Sequence, residues 1–212
     1  YLLNEQTDKA TAALKQAEVE FREVGDQLGE ALTHTQLGEI ARYHANMDAA
    51  ERFFVAAHKR LVDIHHNAAA IPYLYYGLVL LEERMFSSAF DVLTRTSNVM
   101  NMAGYGLHLG LSYLGTACSF AGLRNLDGWR SYHERALTHL QRHPLLSLDA
   151  ALYSEYTAEL LNQIGRPPEA LEALKLSLEQ WTQLRDEAKI RHIRQEMNLT
   201  QDRIPRHLQN ND

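Results

Sequence analysis

The sequence of 212 residues contains a single cysteine, Cys118. One cysteine cannot form a disulfide within the chain, so the sequence gives no sign of an oxidising compartment. It also lacks a signal-peptide pattern, and no apolar run approaches the roughly 18 residues that a membrane-spanning helix needs. We therefore expect a cytoplasmic protein that does not enter a membrane. Because the chain opens on Tyr1 rather than Met, we expect it to be part of a longer protein.

Basic residues are too few for a nucleic-acid surface. Lys and Arg number 21 against 27 Asp and Glu, which gives a net charge of −6. Because binding to the phosphate backbone depends on a basic patch, nucleic acid is not an expected partner. The five prolines do not mark a linker, and 45% of the residues are hydrophobic, enough for a large core. We therefore predict one domain over residues 1–200.

What the sequence does contain is an internal repeat of about 40 residues. Apolar residues recur at helical spacing on both sides of a short polar break at 44–48. A large residue followed by glycine marks the first helix of three successive units, at Leu37–Gly38, Tyr76–Gly77 and Leu114–Gly115. The second helix carries an alanine, a bulky residue and a small residue, at Ala50–Phe54–Ala57, Ala89–Leu93–Thr96 and Ala170–Leu174–Ser177. Two helices per period indicate antiparallel pairs stacked into a solenoid.

These patterns resemble the tetratricopeptide repeat (TPR) family, in its longer variety of roughly 40 residues. The closest local match is the turn and second helix at 164–171, and the resemblance covers about residues 7–197. The chain departs from the family at Arg84, where a turn glycine is expected. The resemblance implies an all-α, right-handed TPR-like solenoid of about ten helices that binds proteins.

The repeat register predicts where the helices lie. A half repeat falls at 6–24, followed by pairs at 27–64, 67–103, 106–142 and 146–184, a capping helix at 186–197 and a disordered tail at 201–212. Pro72 is expected in the first turn of its helix, where a missing N–H does no harm. The half repeat lacks a partner helix, so its apolar face (Ala10, Leu14 and Phe21) is a candidate homodimer surface.

The resemblance also implies a peptide-binding groove lined by the first helix of each pair. The positions that face it are Gln36, Glu39, Arg42, Tyr75, Leu78, Glu82, Tyr113, Thr116, Glu155, Tyr156, Glu159 and Asn162. Tyrosine combines a large contact area with a polar tip, which suits recognition. The carboxylates favour a protein or peptide partner with basic and apolar or aromatic anchors. Alternatively, the tyrosine rings only fill space between neighbouring first helices.

No catalytic, cofactor or metal motif stands out. The glycines at 104, 106 and 110 lack the preceding strand of a dinucleotide-binding loop, so they indicate helix breaks. His139 and His143 lie four residues apart, but no third ligand accompanies them. Cys118 faces the helix partner and is expected to be a small buried apolar residue. We therefore expect neither an enzyme nor a cofactor.

The predicted function is a protein- or peptide-binding scaffold, the C-terminal interaction domain of a larger signalling or regulatory protein. One alternative is a ligand sensor, in which the groove holds a small molecule or signalling peptide and controls an attached output domain. Another is a homo-oligomerisation module that pairs through the N-terminal helix. A dry, nearly closed pocket among the tyrosines would favour the sensor, whereas an open polar groove would favour the scaffold.

Overall fold

The computed structural model describes residues 2–142 and 147–204, which form α-helices joined by short turns, without a β-strand in those ranges. The chain divides into two compact units, Tyr1–Gly104 (unit 1) and Tyr105–Asp212 (unit 2). Unit 1 contains α1 (Leu2–Val24), α2 (Gln27–Tyr43), α3 (Met47–Asp63), a 3-10 turn (Asn67–Ala69), α4 (Ala70–Glu82) and α5 (Phe86–Ala103). Unit 2 contains α6 (Gly106–Gly122), α7 (Leu126–Arg142), α8 (Leu148–Gln163), α9 (Pro167–Leu184) and α10 (Glu187–Asp202). The predicted all-α class is confirmed, and the single domain over 1–200 stays a prediction.

The helices pair in the register that the repeat predicts. A Cβ atom placed on Gly38 of α2 would lie 2.6 Å from Cε1 of Phe54 on α3. In the next pair, a Cβ on Gly77 would lie 2.6 Å from Cδ2 of Leu93. Each glycine therefore lets its helix approach the bulky residue of its partner, because any side chain there would occupy the same space.

The ends of α1–α6, α8 and α9 share one backbone conformation. Residues with positive φ close the helices at 25, 45, 65, 84, 104, 124, 165 and 185, about every 20 residues along most of the described chain. At Arg84, φ is 60°, and the N–H of the following Met85 donates to the carbonyl of Leu80 over 2.8 Å. This is the left-handed closure that glycine favours. The turn therefore keeps its geometry although the sequence departs from the family's glycine there.

Helix starts also follow the sequence. The side chain of Asn46 accepts a hydrogen bond from the N–H of Ala49 and caps α3. Pro72 lies in the first turn of α4, as predicted, because the chain enters this helix through the 3-10 turn. Proline is tolerated there since the first N–H groups of a helix have no intrahelical acceptor.

The two terminal helices extend beyond their predicted bounds. Helix α1 begins at Leu2 rather than at residue 6. Helix α10 continues to Asp202, five residues beyond the predicted end, with Thr200 fully buried and Ile204 8% exposed. The prediction of a disordered tail from residue 201 is therefore wrong for 201–204, and 205–212 lie outside the described residues.

Helix α1 packs on α2 with a mixed interface. Phe21 covers Gly29, while Ala10 is exposed and Leu14 is half-buried. Beside this contact, the buried carboxylate of Glu30 on α2 accepts hydrogen bonds from Arg22 of α1 and from Arg60 of α3. The apolar face of α1 is thus partly covered within unit 1, and a homodimer through it stays a prediction.

None of the helices within 2–142 and 147–204 has the length and hydropathy that crossing a membrane requires.

Candidate peptide-binding surface

In unit 1, two of the predicted groove residues form an ion pair between α2 and α4. Arg42 Nη1 lies 2.7 Å from Glu82 Oε1, and the two residues are 40 positions apart, one repeat. The side chain of Arg42 is 2% exposed, against 28% for Glu82. The carboxylate is therefore the member of the pair that faces solvent, and a buried guanidinium holds it in place.

The remaining unit 1 positions differ in exposure. Gln36 is exposed, and Glu39 is half-buried. Tyr75 is half-buried and stacks on Phe54, with ring centroids 5.6 Å apart. Leu78 is fully buried, so its prediction as a groove residue is wrong: it has no surface to offer a partner, because it belongs to the apolar core.

In unit 2, the first of the predicted tyrosines packs within its helix pair. Tyr113 is half-buried, and its ring contacts Tyr132 and His139 of α7 edge-on at centroid distances of 6.0 and 6.2 Å. Thr116 is fully buried, and its hydroxyl donates to the carbonyl of Ser112 over 2.8 Å. Thr116 is therefore a second correction to the predicted groove, since its side chain has no contact with solvent.

The last group of predicted groove positions lies along α8, and α10 covers part of that helix. Lys189 Nζ approaches both carboxylate oxygens of Glu155, at 3.1 and 3.2 Å. Asn162 donates to the hydroxyl of Thr200 over 3.0 Å. Because Asn162 lies further along α8 and its partner lies further along α10, the two helices run parallel. Helix α10 thus takes the place of the first helix of a further repeat, rather than only capping the stack.

Tyr156 and Glu159 complete this surface. Glu159 is exposed, and its carboxylate accepts a hydrogen bond from Gln163 Nε2 over 2.9 Å. Tyr156 is half-buried, and its hydroxyl oxygen is out of contact with solvent. Its hydroxyl group is therefore not available to a binding protein.

In each unit, the predicted groove positions carry less negative charge than the sequence alone indicates. Glu82 lies against Arg42 in unit 1, and Glu155 lies against Lys189 in unit 2. Sequence reasoning missed Lys189 and Thr200 because they lie on a helix assigned to capping. Their spacing of 34 and 38 residues from Glu155 and Asn162, close to one repeat, is the signal that points to them.

A pocket of about 330 Å³ lies beside Tyr113 on α6 and α7. Its lining is mainly exposed and polar, and consists of Tyr113, Ser131, Glu134, Arg135, Thr138, His139 and Arg142. This is the opposite of the dry, nearly closed pocket that the ligand-sensor alternative requires.

The other candidate chemistry has structural explanations. Cys118 is fully buried, and burial raises the pKa of its thiol to about 12, so it is the small buried residue that the sequence predicts. His139 Nε2 lies 2.5 Å from the carbonyl oxygen of Gly106, and His143 lies outside the described residues. Within the described ranges, no three His, Cys, Asp or Glu side chains are grouped as a metal site requires.

No family model matches this chain, and no curated protein matches it. Solved structures with a similar fold do exist. Aspartyl phosphate phosphatase F from Bacillus subtilis superposes with a TM-score of 0.65 at 12% identity, over 95% of this chain. A signal transduction ATPase with numerous domains (STAND) from Pyrococcus horikoshii, which has a tetratricopeptide repeat sensor, superposes with a TM-score of 0.64 at 15% identity, over 94% of this chain. BtubC from P. vanneervenii superposes with a TM-score of 0.58 at 12% identity, over 92% of this chain.

These likenesses show the fold, a TPR-like helical repeat. The matched part is 57% of the phosphatase chain, 30% of the STAND chain and 91% of BtubC. At such low identities the functions of these proteins do not carry over by similarity alone.

Proposed function

We propose that the chain is a protein- or peptide-binding module without catalysis of its own, and that it recognises segments with basic and apolar or aromatic anchors. The observation that carries the proposal is the repeated pairing of a half-buried tyrosine ring with a solvent-facing carboxylate on one helix face. Tyr75 and Glu82 form this pair on α4, seven residues apart, and Tyr156 and Glu159 form it on α8, three residues apart.

Helical spacing explains why these groups act together. Residues three, four or seven apart lie on the same side of a helix, so ring and carboxylate face the same partner. A Lys or Arg side chain can contact the ring through cation–π attraction and the carboxylate through a charged hydrogen bond. Because Arg42 and Lys189 already offset part of the negative charge, apolar and aromatic anchors contribute a larger share of the binding than charge does.

The signalling context is a further part of the proposal. The STAND protein carries its tetratricopeptide repeat as a sensor, and this chain corresponds to 30% of that protein. By analogy, we propose that this chain is an interaction module of a larger signalling or regulatory protein. The polar, exposed pocket beside Tyr113 favours contact with a protein segment over enclosure of a small molecule.

A peptide array tests the preference. Immobilised peptides that combine Lys or Arg with Phe, Tyr or Leu should retain the full chain, and acidic peptides should not. Binding of the best peptide, followed by fluorescence anisotropy, should weaken in high salt because exposed charges are screened beyond about 8 Å at physiological ionic strength.

Positive charges introduced at exposed groove positions then locate the site. Gln36→Lys adds repulsion toward a basic peptide, and Glu159→Lys also removes an exposed ion pair, so each should lower the affinity roughly two- to fivefold. Glu23→Lys places the same charge on an exposed position of α1 and should change nothing. If acidic peptides bind best, or if all three variants bind equally, the partner docks on another face and the groove assignment is wrong.

A further inference from the structure

The first helices of the pairs in unit 1 are capped by side chains of different chemistry. At the start of α2, the carboxylate of Asp26 accepts a backbone hydrogen bond over 2.9 Å. One repeat later, Nδ1 of His66 accepts from the N–H of Ala68 over 3.2 Å, in the 3-10 turn that leads into α4. In unit 2, Ser147 and Asp186 cap α8 and α10 through oxygen atoms. Of these four caps, the imidazole is the one whose charge changes between about pH 5 and 8.

The backbone partners fix which ring nitrogen carries a proton in the two histidines that hold this turn. A backbone N–H can only donate, so Nδ1 of His66 must be unprotonated. A carbonyl oxygen can only accept, so Nδ1 of His58, which lies 2.8 Å from the carbonyl oxygen of Ala69, must carry a proton. The ring of His58 also stacks on Tyr73, with ring centroids 4.3 Å apart. The two histidines therefore hold the same turn with opposite tautomers.

A second proton on the ring affects these two hydrogen bonds differently. His58 takes it up on Nε2 and keeps its bond to Ala69, and the charged ring is then attracted to the face of Tyr73. Protonation of His66 places a hydrogen on Nδ1, so two donors face each other and the hydrogen bond is lost. Because Ala68 is 6% exposed, its N–H has little access to water as a replacement acceptor.

The charges around the turn do not stabilise a cationic cap. Neither the 3-10 turn nor α4 has an acidic residue in its first turn, so the positive end of the helix repels an imidazolium without compensation. On α2, the carboxylate of Glu30 is already held by Arg22 and Arg60. The other charged or titratable groups close to the turn in sequence are exposed, so solvent screens them: Lys59, Asp63 and His65.

The start of α4 has few backbone hydrogen bonds of its own. Pro72 has no N–H, so the bond that another residue at this position would make to the carbonyl of Ala68 is missing. Ala69, which precedes α4, makes no side-chain cap. The turn therefore relies on the contacts of His58 and His66, since the backbone contributes little to it.

We propose that His66 is a pH-sensitive cap, which stabilises the start of α4 when its ring is neutral and releases it when the ring is protonated. As the pH falls from 8 to 5, the N–H of Ala68 loses its acceptor, while His58 keeps its hydrogen bond to Ala69. The opening is therefore confined to the 3-10 turn and the first turn of α4. The oxygen caps of α2, α8 and α10 keep their hydrogen bonds over the same range, because hydroxyl groups and ordinary carboxyl groups do not change charge there.

NMR of the full chain tests the proposal directly. At pH 8, the nitrogen chemical shifts should show a protonated Nε2 in His66 and a protonated Nδ1 in His58. Between pH 8 and 5, the amide signal of Ala68 should move together with the titration of the His66 ring. Its hydrogen-exchange protection factor should fall about three- to fivefold, as expected for the loss of an N-cap. The proposal is overturned if neutral His66 carries its proton on Nδ1, or if the protection factor of Ala68 stays constant.

Variants distinguish a titrating cap from one that is only structural. His66→Asp gives α4 the cap that α2 already has, so its melting temperature should increasingly exceed that of the original chain as the pH falls from 8 to 5. His66→Ala lacks a cap at every pH, so its deficit relative to the original chain should be largest at pH 8 and shrink toward pH 5.

The neighbouring histidine supplies the matched control. His65 is exposed and has a φ of 54°, and asparagine tolerates this left-handed conformation, so His65→Asn should follow the original chain. If the deficit of His66→Ala is the same at pH 8 and pH 5, or if His65→Asn alters the pH response as much as His66→Asp does, His66 does not act as a pH-sensitive cap.

Discussion

The close contact between Gly38 and Phe54 defines how two neighbouring helices meet. Phe54 is fully buried, and its ring occupies the volume that a side chain at position 38 would need. The same arrangement recurs between Gly77 and Leu93, one repeat later. A glycine within a helix costs about 1 kcal/mol relative to alanine, so its use here indicates that the close approach is worth more than the lost helix propensity.

Gly38→Ala should therefore destabilise the protein. The new methyl group would overlap the Phe54 ring, and overpacking of this kind typically costs about 1–3 kcal/mol, which exceeds the gain in helix propensity. Phe54→Leu removes part of the ring, so Gly38→Ala in that background should cost much less. Urea denaturation of the two single variants and the double variant gives the coupling energy directly.

If the effects of Gly38→Ala and Phe54→Leu on the free energy of unfolding simply add in the double variant, the contact between position 38 and the Phe54 ring is contradicted. A loss of stability in Gly38→Ala that persists unchanged in the Phe54→Leu background would mean that the new methyl group meets something other than the ring.

At the scale of the elements, the turns after α1–α6, α8 and α9 each depend on one left-handed residue. Glycine occupies this position at Gly165, but Arg84 occupies it after α4, with φ of 60°. For a residue with a Cβ atom the left-handed conformation costs about 1–2 kcal/mol. The turn after α4 therefore has a strain that the turn after α8 lacks.

Arg84→Gly should stabilise the protein, and Gly165→Ala should destabilise it. The gain at position 84 should be about 0.5–1 kcal/mol, because relief of the strain is partly offset by the greater freedom of glycine in the unfolded chain. Gly165→Ala should lower the free energy of unfolding by a similar amount or more. Thermal unfolding of both variants measures the two opposite shifts, and shifts of the same sign would show that backbone conformation is not the cause.

The helix pairs were predictable because their signal is local. Helical spacing, the glycine positions and the turn residues all lie within one repeat, and they give the observed pairing. The end of α10 was missed although Ile190, Ile193, Met197, Thr200 and Ile204 continue one stripe at spacings of three and four. The polar residues between them obscured the pattern. Packing on α9 and the hydrogen bond from Asn162 of α8 to Thr200 stabilise the last turns of the helix.

The candidate site was less predictable because exposure depends on neighbouring helices. Leu78 and Thr116 occupy register positions equivalent to Glu39, yet they are buried while Glu39 is half-buried. Likewise, nothing local to Glu155 shows that Lys189 of another helix will reach it. Register fixes the face of a helix, and the helix packed beside it decides how much of that face stays exposed.

For the molecule as a whole, contacts that span one repeat recur within each unit. Arg42 reaches Glu82, Arg130 reaches Glu169, and Asn162 reaches Thr200, at separations of 40, 39 and 38 residues. Such contacts join equivalent helices of successive pairs, in addition to apolar packing. In repeat proteins, interfaces of this kind transmit stability from one pair to the next.

The stability of the molecule should also depend on pH through His133. Burial against Trp129 lowers the pKa of this histidine from 6.5 to about 4, because the charged ring would lose its hydration. The unfolded chain therefore binds a proton at a higher pH than the folded chain does. Above about pH 6.5 the His133 ring is neutral in both the folded and the unfolded chain, so it costs no stability. As the pH falls from 6.5 to about 4, the unfolded state gains up to about 3 kcal/mol relative to the folded state.

Comparison with His133→Phe isolates this effect from other titrating groups. The variant keeps the stacked ring, cannot be protonated and removes the buried Nε2, which has no hydrogen-bond partner among the described residues, so it should equal or exceed the original chain in stability at pH 7.5. Its advantage should grow as the pH approaches 4.5, when urea denaturation is measured across that range. His44→Gln changes an exposed histidine and should follow the original chain. A constant difference between His133→Phe and the original chain at every pH would mean that His133 titrates alike in both states.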